Sequence, residues 1–175
     1  MNRRYFFPVS FGALQTARRA IAASDKITIA LMGVRGRGRS LTKAFCEQAD
    51  VNVAYVCDVD QNVVEGAYKI IADSGRKRPP LVADLRRCLD DKSVDAIVMG
   101  TPLHWHAPGT ILACNAGKDV YVEKPISHNI REGRLMVEAA RRNQRIVQAG
   151  TQLPSLPVTR AFTNMCNRGI SAACS

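Results

Sequence analysis

The chain has 175 residues, 46% hydrophobic and 23% charged, which is enough apolar side chain to bury one core and argues against general disorder. Its formal net charge of +10 is spread over short clusters, and aromatics are only 6%, so nucleic acid is not the expected partner. No uninterrupted apolar run is long enough to cross a bilayer, and no two of the six cysteines are spaced as C-x-x-C, which sets aside a membrane span and a zinc ribbon.

Residues 1–24 contain Arg3, Arg4, Arg18 and Arg19 and no acid. The twin arginine before Tyr5-Phe6-Phe7, with small residues at 20–24, resembles a Tat-type export signal. Pro8 and Arg18-Arg19 interrupt its apolar stretch, so the other reading is a basic leader without export function. The first reading places the protein in the periplasm and the second in the cytoplasm. Either way the fold is expected to begin after residue 24.

Residues 27–32 form a short apolar run ending at Gly33, as a buried strand does. A helix is expected over 40–48 and a second strand over 51–57, ending at Asp58. Apolar residues at Val63, Val64, Ala67, Ile70 and Ile71 have helical spacing, giving a helix over 61–73. Residues 75–80 hold a glycine and two prolines and read as a loop. A two-residue strand follows at 81–82, then a short helix over 84–89 with Asp84 as its N-cap. The next strand is 94–99, broken by Gly100-Thr101-Pro102. A helix over 108–116 closes at Gly117, and a strand over 119–123 stops before Pro125. Asn129 with Glu132 three residues later opens a helix to about Asn143, with Leu135, Met136, Ala139 and Ala140 inward. The last strand is 145–149. Six strands alternating with helices predict an α/β doubly wound parallel sheet, a Rossmann fold. Its ligand site lies outside the carboxyl ends of the strands.

The strand ends therefore carry the chemistry. After the first strand, Gly33, Gly36 and Gly38 permit a tight turn and close approach of phosphates to a helix N-terminus. Aligned on Gly33 and Gly38, the dinucleotide fingerprint G-x-G-x-x-G has Arg35 at its middle glycine, with Gly36 one place late. Asp58, 25 residues after Gly33, suits an adenosine ribose and favours NAD, while one of Arg35, Arg37 and Arg39 could reach the 2′-phosphate of NADP. The loop after the fourth strand holds His104, Trp105 and His106. No Cys, Asp or Glu stands near these histidines in sequence, so no metal site is expected. Lys124, leaving the fifth strand, could bond a substrate hydroxyl and, if desolvated, move a proton; the plainer reading is a surface ion pair and a turn.

Together, Gly33-x-x-Gly36-Arg37-Gly38, Cys57-Asp58-x-Asp60, Thr101-Pro102-x-His104-Trp105-His106, Ala116-Gly117-Lys118-x-Val120-Tyr121-Val122-Glu123-Lys124-Pro125 and Gln148-Ala149-Gly150-Thr151-Gln152 are specific. They resemble the N-terminal domain of Gfo/Idh/MocA oxidoreductases over roughly residues 26–165. The resemblance implies that Gly33, Arg35, Gly36 and Gly38 hold the pyrophosphate and that Asp58 binds the adenosine ribose. It implies that Thr101, Pro102 and His106 line the nicotinamide side. Glu123 and Lys124 would sit beside the nicotinamide ribose, with Lys124 also reaching the reacting hydroxyl as the catalytic residue. Leu103 stands where the family carries Asn or Asp, which removes a polar contact. The implied reaction is reversible hydride transfer between NAD, or NADP, and a sugar or polyol. Full-length relatives carry a second, substrate-binding domain and include homo-oligomers. Residues 151–175 are expected to be the start of that domain, with a helix over 156–167, so the chain reads as truncated and weak as a catalyst. The alternative is a stand-alone nucleotide-binding module without catalysis.

Overall fold

The structure, a computed structural model, describes residues 26–151. The leader and the expected helix over 156–167 lie outside the described residues. Six strands, β1 (Ile27–Met32), β2 (Val51–Cys57), β3 (Leu81–Val82), β4 (Ala96–Met99), β5 (Asp119–Glu123) and β6 (Val147–Gly150), form one sheet in the order β3-β2-β1-β4-β5-β6. Every neighbouring pair is parallel. The helices are α1 (Arg37–Cys46), α2 (Gln61–Asp73), α3 (Leu85–Asp90), α4 (His106–Asn115) and α5 (Ile130–Arg142). This is the doubly wound Rossmann arrangement, with its reversal of strand order between β1 and β4.

Alternation within the strands feeds two cores. Ala30, Met32, Ile97, Met99, Val120 and Val122 pack with residues of α3, α4 and α5 on one face. Ile29, Leu31, Val53, Val56 and Val98 pack with Leu41, Val64, Ala67 and Ile71 on the other. Cys46, Cys57, Cys88 and Cys114 are buried, unbridged members of these cores. Burial pushes the Cys46 and Cys114 thiols up, as expected of small core residues.

Local chemistry explains most boundaries. Asp60, Asp84 and Asn129 each accept a backbone N–H in the first turn of α2, α3 and α5. Glu132 returns its carboxylate to the His128 N–H, 3.0 Å away. Several boundaries differ from the sequence expectation. α1 starts at Arg37 rather than residue 40, because Gly36 at φ 48 turns the chain directly into it. α4 starts at His106, ahead of Pro108, since a first-turn proline lacks only an N–H that has no helical partner. β6 starts at Val147, after Gln144 (φ 54) and a turn that Arg145 braces onto the Asn143 and Gly117 carbonyls. Leu135 is not inward: it is 42% exposed, while Met136 and Ala139 are buried. One residue rotates about 100° around a helix, which takes Leu135 off the stripe those two define.

Register places the strand ends in one row. Met32 pairs with Cys57 and with Met99, and Met99 pairs with Val122. The residues that follow are Gly33, Asp58, Gly100 and Glu123, so four separate segments of sequence open onto one crevice.

Candidate functional site

The crevice floor is made of backbone packed on backbone. A Cβ at Gly38 would lie 1.9 Å from the Gly33 carbonyl oxygen, and one at Gly100 would lie 2.7 Å from the Gly38 Cα. A Cβ at Gly33, whose φ is +76, would lie 2.8 Å from the Thr101 backbone. The start of α1 is thus seated against the ends of β1 and β4. Its N-cap is Gly36, with no side-chain cap and no acid in the first turn. Amide donors and the positive end of a helix dipole are left for an anion.

Asp58 is held by two backbone donors. Its Oδ2 accepts from the Val34 N–H at 2.9 Å and its Oδ1 from the Asp60 N–H at 3.0 Å. The carboxylate is fixed at the end of β2 and keeps lone pairs for ribose hydroxyls. The three loop arginines separate in space. Arg39 lies over Gly66 and reaches the Val63 carbonyl at 3.5 Å. Arg37 donates from Nε to Glu123 Oε1 at 2.9 Å. Arg35 is exposed; its carbonyl accepts from the Gly38 N–H at 2.8 Å, and its side chain has no hydrogen bond or ion pair among the described residues.

On the other side, the loop after β4 carries Thr101 and Pro102 into the short turn Leu103–Trp105. Thr101 Oγ1 is buried without a hydrogen-bond partner among the described residues. A hydroxyl in that state is costly unless a ligand completes it. His106 is 2% exposed. Its Nδ1 is 2.7 Å from the Pro125 carbonyl and its Nε2 is 2.9 Å from the Thr101 carbonyl. Each ring nitrogen thus faces a carbonyl oxygen, and which of them donates depends on the tautomer. The ring therefore lies between the two loops, with both nitrogens turned to backbone carbonyls. Glu123 is buried, and Lys124, joined to Pro125 by a cis peptide bond, is exposed. Lys124 is thus open to solvent rather than desolvated, and its ammonium has no partner among the described residues.

The residues present fit a dinucleotide: a cradle in which Gly33, Gly38 and Gly100 leave no room for a Cβ, an uncapped helix start, a fixed carboxylate and an orphaned hydroxyl. Two contributors went unassigned in the sequence. Gly100 was legible as a glycine directly after a strand. Arg37 was legible only as one of three arginines. No group of three or more His, Cys, Asp or Glu side chains able to hold a metal occurs among the described residues. No helix among them is long and apolar enough to cross a membrane.

Residues 20–151 match the model of the Gfo/Idh/MocA family, described as an oxidoreductase family with an NAD-binding Rossmann fold. A glycosyl hydrolase family 109 protein of Shewanella sp. (strain W3-18-1) is 32% identical over 125 residues, covering 69% of this chain and 27% of that protein. An alpha-N-acetylgalactosaminidase of Shewanella oneidensis is 31% identical over 125 residues, with the same two coverages of 69% and 27%. The chain thus spans about a quarter of the length of these curated relatives. Myo-inositol 2-dehydrogenase from Lactobacillus plantarum superposes with a TM-score of 0.72 at 23% identity, over 82% of this chain and 41% of that one, and shows the shared fold. The chain belongs to the Gfo/Idh/MocA oxidoreductase family and carries its NAD-binding Rossmann domain.

Proposed function

We propose that this domain holds NAD in preference to NADP for reversible hydride transfer with a hydroxyl carbon of a sugar or polyol. The observation that carries the reading is the single row of Gly33, Asp58, Gly100 and Glu123 set by strand register. Names among the relatives support the substrate class: one is a galactosaminidase and a structural neighbour is an inositol dehydrogenase.

The roles follow from position. Gly33, Gly36 and Gly38 admit the diphosphate to the amides of α1. Asp58 accepts from the adenosine ribose and opposes a 2′-phosphate by charge. Thr101 and Pro102 line the nicotinamide side, where the orphaned Thr101 hydroxyl gains a partner. Glu123 lies beside the nicotinamide ribose. When bound, the cofactor supplies the hydride acceptor. Lys124 bonds the reacting hydroxyl at Nζ and manages its proton, and the crevice aligns the two carbons.

The test is a thermal-shift titration of the purified chain with NAD and NADP. Stabilisation grows with ligand concentration only if the folded state binds. NAD is expected to give the larger shift, and Asp58→Ala is expected to narrow the difference. No shift with either dinucleotide would overturn the reading.

A further inference from the structure

Arg37 belongs to the glycine motif, but the motif assigns its side chain no role that joins it to Glu123. It is the first residue of α1, which follows β1, yet its guanidinium reaches Glu123 at the end of β5. The sheet order puts β4 between those strands, so the pair spans from the β1 side to β5 past the strand between them. Glu123 is the deep partner, with 6% side-chain exposure, and Arg37 the open one, with 45%. A carboxylate buried at the crevice would repel a diphosphate unless a cation stood beside it. Only Nε is committed. The two terminal nitrogens, with four N–H donors, have no partner among the described residues. They stand at a helix start that lacks any acid or side-chain cap.

We infer that Arg37 is a cofactor-binding residue with two duties: Nε neutralises Glu123, and the outer fork grips the diphosphate. It links the phosphate loop to the strand that carries Lys124, so cofactor binding and the placement of Lys124 share one side chain. A guanidinium meets both demands because its planar fork presents donors on separate edges; an ammonium is a point charge and meets one at a time. Arg35 and Arg39 do not fill this place: Arg39 is drawn over Gly66, and Arg35 bonds nothing that would fix it toward the crevice. The inference rests on the dinucleotide reading above.

The test is calorimetric titration of the wild-type chain, Arg37→Gln and Arg37→Lys with NAD, ADP and adenosine, with melting curves to confirm folding. Arg37→Gln is expected to weaken NAD and ADP about tenfold or more while leaving adenosine within about twofold. Arg37→Lys is expected to fall between. The salt dependence of ADP binding is expected to flatten in Arg37→Gln, because a phosphate contact is lost. Equal losses for adenosine and ADP would mean that Arg37 only shapes the loop and would overturn the inference. So would ADP binding that ignores the substitution. Wild-type protein that binds neither NAD nor ADP would remove the dinucleotide reading itself, a different result from either.

Discussion

The two halves of the crevice are built by different means. On the β1–β2 side, the site is mostly main chain: three glycines, a helix start and one carboxylate tied to two backbone amides. On the β4–β5 side it is mostly side chain: the His106 ring between two carbonyls, the Arg37–Glu123 pair, the Thr101 hydroxyl and Lys124. The glycines of the first half can be altered only by adding atoms, since each is already the smallest residue. The second can be altered by removing them. The contrast suits a ligand whose one end is common to many enzymes and whose other end must be aligned with a substrate.

The sharpest break of this contrast is Gly38→Ala. Its methyl group would meet the Gly33 carbonyl at 1.9 Å, and neither is on a flexible side chain. We expect a cost of about 3 kcal/mol in denaturant unfolding, with NAD and ADP affinity lost together. A full-affinity Gly38→Ala protein would show that the cradle is less rigid than its packing indicates.

His106→Ala comes next and should separate the halves. It removes the ring that lies between the Pro125 and Thr101 carbonyls, at a cost of about 2 kcal/mol. NAD affinity should fall while ADP affinity holds, because the adenosine side does not depend on this ring. Parallel loss of both ligands in titration would show that the halves are one cooperative unit.

The smallest effect lies at the opposite end of the sheet. Ser93 donates from its hydroxyl and its amide to Asp91, and the Tyr55 hydroxyl donates as well, which holds this carboxyl below the ordinary aspartate range. A lowered folded-state value means stability that is present above the ordinary aspartate range and lost as pH falls through the folded one. An acid titration of Asp91→Asn should therefore be flatter than wild type in that window. Cofactor affinity at neutral pH should not change, since the crevice is at the other end of the strands.

What was legible in the sequence follows the same division. β1, β2, α2, β3 and β5 have the bounds their apolar runs and breakers predict, because each is decided by neighbours in the chain. The glycine turn and Asp58 could be found because a tight turn needs particular residues at short spacing. Arg37 and Glu123 are 86 residues apart, and no local pattern joins them. His106 stands out in its motif, but that its ring lies between the Thr101 and Pro125 carbonyls follows only from the fold. Leu135 was misplaced because a helical stripe read without its partner surface is uncertain by one residue.

Gly66 sits on α2, and the space where its side chain would be is filled by the end of Arg39. The glycine is a parking place for a charge. One methyl group there would push a mobile guanidinium out, with little strain elsewhere because it is the free end of the chain that must move. On the reading proposed above, in which Asp58 opposes a 2′-phosphate, a guanidinium released from Gly66 would be a charge of the opposite sign on the same loop. A position that belongs to no part of the glycine turn thus decides where one of its three arginines rests.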